Sequence, residues 1–386
     1  MSLNKRPKPP EEKLDAGTDW AVQALLWPMA ATRLALEAYL HWFPSGEPAL
    51  SEQQSEPPLS WTTPNVIALQ LASMRLRDFS RRATGQPLLI CAPFSLHEAL
   101  IADFAPGHSL VQALQQGGMD RIYVTDWCSA TSEMRYLSID SYLADLNVAV
   151  DDIGAPVDLI GLCQGGWLSL VYAARFPHKV RRLVLAGAPV DVSVPSELSR
   201  LVASMPKEAF DELVHQGEGI ISGKRTLRFW SMPLTLHDVE ATLQRDIGDG
   251  SEQGAALLAR FERWDRKLLD LPGTFYLEAT NWIFRENRIA EGRLIALGRK
   301  IDLAEVTVPV FLLAAERDIV VPLEQALATA RLLGTPPQWL EQACEPCGHL
   351  GLFMGRDSLG RSWRRIVRWL QASGDDVAES RPRISA

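Results

Sequence analysis

The chain has 386 residues with 39 basic and 47 acidic side chains, a formal charge of −8. Its apolar fraction of 47% and charged fraction of 22% are ordinary for a globular protein, and its length suits one elaborated domain or two. The acidic balance and the lack of a long Lys/Arg block argue against a nucleic-acid binder. Five cysteines in so long a chain do not make a disulfide framework, and they fit a reducing compartment.

The opening MSLNKRPKPPEEKLDAG, residues 1–17, is polar and charged and reads as a disordered tail, with no secretory signal. The apolar run Trp20–Phe43 contains Gln23, Pro28, Arg33, Glu37 and His41, which are costly at a bilayer centre. No transmembrane segment is expected. The run reads as an amphipathic helix, kinked at Pro28, that packs on the protein's own surface or docks on an apolar partner. Residues 44–60, rich in Pro, Ser and Glu, read as a linker, so 18–60 form an N-terminal helix and linker.

From Trp61 onward short apolar runs alternate with helical patterns. PLLICA (87–92), RIYVTD (121–126), VDLIGL (157–162), RLVLAG (182–187) and VPVFLLAA (308–315) have strand length. They are near-continuously apolar, as strands buried on both faces of a parallel sheet must be. Helical patterns fall near 107–116, 138–152, 164–176 and 322–333. Repeated strand–helix units imply right-handed crossovers and a doubly wound, mostly parallel α/β sheet. Between 192 and 296 the rhythm breaks: SELSRLVASM, EAFDELVHQ and ALLARFERWDRKLLDL are helical in period, without a clear strand. This segment reads as a helical cap over the carboxyl edge of a core formed by 61–191 and 297–386.

Gly161-Leu162-Cys163-Gln164-Gly165-Gly166 joins the strand VDLI to the helical WLSLVYAARF. This is the strand, sharp turn and helix of a nucleophile elbow, with Cys in place of the more usual Ser. Glycines flank a turn too tight for side chains. The helix beginning near Gln164 aims its N-terminus at the thiol, which favours a thiolate and any oxyanion formed beside it. In this chain order an acid and then a histidine follow the nucleophile. Asp318 stands just past VPVFLLAA, with Glu316 as the rival acid. His349 stands in a loop after the last predicted strand, between Gly348 and Gly351. His97, after the first clear strand, is expected to line the pocket or bond to backbone. The oxyanion donors are expected to be the backbone N–H of Gln164 and one from Phe94 or Ser95, in the loop after PLLICA. Cys344-Glu-Pro-Cys347 lacks the further ligand pair of a zinc site, so no metal is expected. Cys91 and Cys128 read as packing residues. No P-loop or dinucleotide glycine motif is present, so no cofactor is expected. A Cys nucleophile exchanges one thioester for another at little energetic cost, which tilts the substrate toward acyl-CoA-like thioesters.

From about Trp61 to Leu370 the chain resembles polyhydroxyalkanoate synthases and the related intracellular polyhydroxyalkanoate depolymerases. PLLICAPFSLHEALIADFAPGHSLVQAL with RIYVTDW, the box at Cys163, Leu271-Pro272-Gly273, Glu286-Asn287-Arg288 and Val308-Pro309-Val310 are similar to synthases. FYLEATNWIF, ALGRKIDL and GHLGLFMGR are similar to the depolymerases. Ile319 follows the acid where synthases usually carry His, and Trp264-Asp265 stands near the missing Trp-Asn-x-Asp cap motif. The resemblance implies an α/β-hydrolase fold, Cys163 as acyl carrier, Asp318 as acid and His349 as general base. It implies 3-hydroxyacyl-CoA or polyhydroxyalkanoate as substrate, with coenzyme A entering only as part of a thioester. A length near that of partner-dependent synthases implies a homodimer or a partner subunit. The expected location is the cytoplasm, with a polyester granule surface as a further site. The first functional reading is therefore a synthase-like acyltransferase. A polyester or thioester hydrolase with the same triad and a non-catalytic granule protein stand as alternatives.

Overall fold

The computed structural model describes residues 59–94, 96–224, 243 and 251–372. The amphipathic run Trp20–Phe43, the linker and Ser95 lie outside the described residues. The chain divides into two units, Met1–Pro58 and Leu59–Ala386, and the second holds the fold described below.

Eight strands build a central sheet: β1 Val66–Gln70, β2 Met74–Asp78, β3 Leu88–Cys91, β4 Ile122–Trp127, β5 Val157–Leu162, β6 Val180–Ala186, β7 Val310–Ala315 and β8 Leu340–Glu345. Their order is β1-β2-β4-β3-β5-β6-β7-β8. The pairs β1–β2 and β2–β4 are antiparallel, and every pair from β4–β3 to β7–β8 is parallel. The fold is the α/β-hydrolase fold.

The five apolar runs read from sequence are strands β3 to β7, and β4, β5 and β7 are buried along their whole length. Parallel strands covered by helices on both faces leave no position for a polar residue without a partner. Asp158 on β5 has one, since its carboxylate takes a forked pair of bonds from Arg181. The strands β1 and β2 precede the first run. β2 alternates buried Met74 and Leu76 with half-buried Arg75 and Arg77, the period of a strand near the sheet edge.

The helices are α1 Leu110–Gln116, α2 Ile139–Ile153, α3 Gln164–Arg175, α4 Glu197–Ser204, α5 Lys207–Gln216, α6 Glu252–Arg266, α7 Gly273–Glu278, α8 Leu323–Ala328, α9 Gly351–Met354, α10 Arg356–Gly360 and α11 Ser362–Gln371. Ser109, Ser138, Ser196 and Ser251 each accept a backbone N–H at the start of α1, α2, α4 and α6. The described residues of the segment 192–296 are mainly helical. The expectation of no strand there needs correction. Leu271–Pro272 pairs with Ile220–Ile221, and Leu268–Leu269 pairs with Leu96–His97. These two-residue ladders are too short for a periodic signal.

The helix α11 seals one face of the sheet. Trp363, Ile366, Val367, Trp369 and Leu370 are buried. Trp369 packs edge-on against Phe311 of β7. Trp363 donates from its indole to the Leu352 carbonyl at 2.7 Å, tying α11 to the short helix behind His349. Trp363→Ala removes a fully buried indole and should lower unfolding free energy by roughly 3–5 kcal/mol. Trp363→Phe should retain most of that. Denaturant titration of both variants checks the difference, and equal midpoints for the alanine variant and wild type would contradict this packing.

Candidate active site

The site begins with the turn from β5 to α3. A Cβ on Gly165 would lie 2.1 Å from the carbonyl oxygen of Cys91, and one on Gly161 would lie 2.5 Å from the Cα of Gly166. Backbone therefore meets backbone at both places, and only glycine fits. Cys163 between them has φ 50° and ψ −118°, a conformation L residues rarely hold. Its N–H donates to the Ala186 carbonyl at 2.9 Å, and its own carbonyl accepts from Gly166 at 2.9 Å. The turn thus fixes Cys163 at the carboxyl edge of the sheet, half-buried, as the residue preceding α3.

Strands β7 and β8 carry the next two groups. Past their ends, the N–H of Glu316 donates to the Glu345 carbonyl at 2.9 Å and that of Arg317 to the Cys347 carbonyl at 3.0 Å. These bonds extend the parallel pairing into the loops and hold them side by side. Asp318 then points inward, while the rival acid Glu316 is exposed. The Oδ1 of Asp318 accepts the N–H groups of Val320 and Val321 at 2.9 and 2.8 Å, and its Oδ2 accepts Nδ1–H of His349 at 2.6 Å. His349 is buried, and a further hydrogen bond joins its ring to Cys163. With Nδ1 engaged by Asp318, that bond belongs to Nε2. Burial opposes charge on the imidazole. The Asp318 carboxylate and the Cys163 sulfur outweigh it, and the His349 pKa lies well above the ordinary imidazole range.

The structure therefore brings Cys163, His349 and Asp318 into one hydrogen-bonded line. Gln164 begins α3, so its backbone N–H is one of the helix's unpaired donors and lies beside the sulfur-bearing residue. Phe94 follows β3, and its ring is fixed among Trp127, Trp167 and Phe275 at centroid distances of 5.8, 5.7 and 5.0 Å. That cage holds the backbone of the loop in which the second donor is expected.

His97 departs from one of its two sequence readings, the bond to backbone. It bonds the Asp265 carboxylate at 3.1 Å rather than backbone, and its ring stacks on Trp264 at 4.3 Å. Trp264 also donates to the Glu98 carbonyl at 3.2 Å, and Lys267 pairs with Glu98 at 2.6 Å. The insertion is thereby clamped to the loop after β3. Its other end is held at Asp191, five residues past β6. Asn287 donates to Asp191 at 3.0 Å and accepts the Val192 N–H at 3.1 Å, while Arg331 donates to Asp191 at 2.7 Å. Burial raises the Asp191 pKa, but hydrogen bonds from Ser193, Arg331 and Asn287 outweigh it and hold the carboxyl at about 2. No sequence period marks Asp191. Its partner Asn287, within Glu286-Asn287-Arg288, has a left-handed backbone at φ 50°. Cys91 is buried and its thiol is pushed up to about 12 by desolvation, while Cys344 and Cys347 stand near the His349 loop and form no disulfide.

A model of the α/β-hydrolase fold matches residues 125–355. Among characterised proteins, the chain is 32% identical over 284 residues to the poly(3-hydroxyalkanoate) polymerase subunit PhaC of Synechocystis sp., covering 70% of this chain and 74% of that one. It is 27% identical over 298 residues to the protein of the same name from Allochromatium vinosum, covering 74% of this chain and 81% of that one.

A histidine whose pKa rises on folding adds stability that is complete below its unfolded value of about 6.5 and is lost as pH climbs through the folded value. Wild type should therefore lose more unfolding free energy than Asp318→Asn as the pH rises above about 6.5. Urea titrations across that window test the sign, and parallel slopes for the two proteins would refute it.

Proposed function

The chain belongs to the α/β-hydrolase fold family and, within it, to the family of poly(3-hydroxyalkanoate) polymerases, and on that premise we propose that it is a synthase-type acyltransferase acting through an acyl-Cys163 intermediate. The observation that carries this reading is the bonded line from Cys163 through His349 to Asp318 at the carboxyl edge of the sheet.

In the proposed reaction His349 Nε2 takes the thiol proton as the Cys163 sulfur attacks the carbonyl carbon of a 3-hydroxyacyl-CoA. Asp318 keeps Nδ1 as the donor and stabilises the imidazolium. The tetrahedral oxyanion is met by backbone N–H groups from Gln164 and from the Phe94–Ser95 loop. Collapse breaks the bond to the coenzyme sulfur, which leaves with the proton held by His349. A hydroxyl at the end of a growing polyester enters next, and His349 takes its proton. The oxygen attacks the acyl-cysteine, an ester forms, and the proton returns to the Cys163 sulfur. The products are one coenzyme thiol and one new ester per cycle. The chemistry needs no resident cofactor, because coenzyme A enters and leaves with the substrate. The relatives are described as subunits of a polymerase, which supports a partner or a second copy of this chain as part of the working enzyme.

With water in place of the alcohol, the same line of residues hydrolyses the acyl-enzyme. That reading draws on Ile319, which is 43% exposed beside Asp318 where synthases usually carry His. The two outcomes separate by product: polymer in the first case, soluble hydroxy acid in the second.

Incubation with 3-hydroxybutyryl-CoA, rapid quenching and peptide mass analysis should show acylation on the peptide holding Cys163. Acylation elsewhere would refute the assignment. Cys163→Ala and His349→Ala should each lower coenzyme release by ~10⁴-fold or more while the circular dichroism stays native. Wild-type turnover in either variant would overturn the mechanism.

A further inference from the structure

The helix α11 carries Arg364, Arg365 and Arg368, with no acidic residue between Ser362 and Gln371. Arg365 pairs with Glu341 of β8 at 2.7 Å, and Arg361 just before the helix pairs with the buried Glu345. Arg364 and Arg368 are exposed and have no carboxylate partner among the described residues. One turn apart, both line a groove of about 770 Å³ bounded by α1, α10 and α11, and Arg356 joins them at the start of α10. Across the groove Gln112 and Gln116, also one turn apart, present amides from α1. Ala113, Leu359 and Val367 line it with apolar surface. Among the described residues no acidic one lines it, in a chain whose net charge is −8.

Arg364 and Arg368, one turn apart and without a carboxylate partner among the described residues, repel one another, and that arrangement is relieved by an anion. A guanidinium presents two parallel N–H donors that match phosphate oxygens, and a phosphate ester brings nearly two negative charges to a single point. The volume falls in the range of about 300–1,000 Å³ typical of small-molecule sites. The polyester and its hydroxyacyl units carry no such charge, and α1, α10 and α11 carry none of the residues assigned to the reaction.

We propose that this groove binds a phosphorylated small molecule. Its phosphates lie against Arg364 and Arg368, assisted by Arg356, and its less polar body lies against Ala113 and Val367. The groove is separate from the acyl-transfer residues, so the site stands or falls independently of the function proposed above.

Isothermal titration of the full chain with ATP, and separately with inorganic tripolyphosphate, tests the site. Saturable binding of ATP, tripolyphosphate or both at one site is expected. Arg364→Gln and Arg368→Gln should each weaken it about tenfold, the loss of one charge-assisted hydrogen bond. Lys300→Gln, an exposed cation away from the groove, should leave it unchanged. Competition by free coenzyme A would identify the substrate's own nucleotide as an occupant, and its absence would identify an independent ligand. Either result retains a phosphate site. Three results would overturn it: no saturable binding of either probe, binding that survives Arg364→Gln combined with Arg368→Gln, or capture on phosphatidylglycerol vesicles without binding of either soluble phosphate. All of the substitutions are at exposed positions, so native circular dichroism is expected throughout.

Discussion

The close approach of α3 to the ends of β3 and β5 governs the site. With 2.1 Å between a hypothetical Cβ on Gly165 and the Cys91 carbonyl, no side chain can stand there without moving backbone. A Cβ on Gly166 would likewise come within 2.4 Å of the Ala188 side chain, so the helix also presses on the loop after β6. This tightness holds Cys163 in its left-handed conformation, which costs on the order of 1–3 kcal/mol. Only a core that over-determines the turn sustains such strain. The buried strands β5, β6 and β7 and the helix α3 above them provide that core. The thiol's position is therefore a property of sheet packing, and the histidine and acid are brought to it.

The second constraint is electrostatic. A carboxylate and an imidazolium removed from water lose hydration that their attraction must offset. Asp318 recovers it through three hydrogen bonds, two from Val320 and Val321 and one from His349. With the carboxylate fixed by backbone donors, its second oxygen has one direction left, toward Nδ1. The imidazole tautomer and orientation follow from that geometry. The paired loops after β7 and β8 supply the register: Glu316 and Arg317 bond across to Glu345 and Cys347, and the two side chains that must meet emerge one and two residues later on each strand's extension. Glu345 itself is buried and held by Ser362 and Arg361, so the histidine loop is fastened to α11 as well as to the sheet.

The parts legible in the sequence are those whose physics is local. Continuous apolar runs mark β3 to β7 because burial on both faces leaves no alternation. Glycines at 161, 165 and 166 mark the elbow through their spacing after a strand, although only the close approach of Gly161 to Gly166 is local, while Gly165 meets Cys91 and Gly166 meets Ala188. Asp318 and His349 are legible through chain order and strand ends. The edge strand β1 and its neighbour β2 carry a weaker sign, since Val66 and Ile67 are exposed and only β2 alternates cleanly. The amphipathic spacing of Trp363, Ile366, Val367 and Leu370 is a readable helix signal, but the partners it meets, Phe311 and Leu352, lie far off in the chain. The role of His97 is not legible at all. Its stacking partner Trp264 and its acid Asp265 come from the insertion, 167 and 168 residues away, and no periodicity encodes a contact at that distance.

Those long-range contacts also fasten the insertion without including the nucleophile, base or acid. One end is clamped through His97, Glu98, Trp264 and Lys267 to the loop that follows β3, and the other through Asn287 to Asp191 after β6. Both anchors engage loops at the carboxyl edge, yet neither includes Cys163, Asp318 or His349. The insertion does meet the Phe94 loop: His97 and Phe94 are three residues apart, and the Phe94 ring lies 5.0 Å from that of Phe275 in the insertion. The donor that would meet the oxyanion is the element of the site most exposed to the insertion, while the nucleophile, base and acid belong to the core.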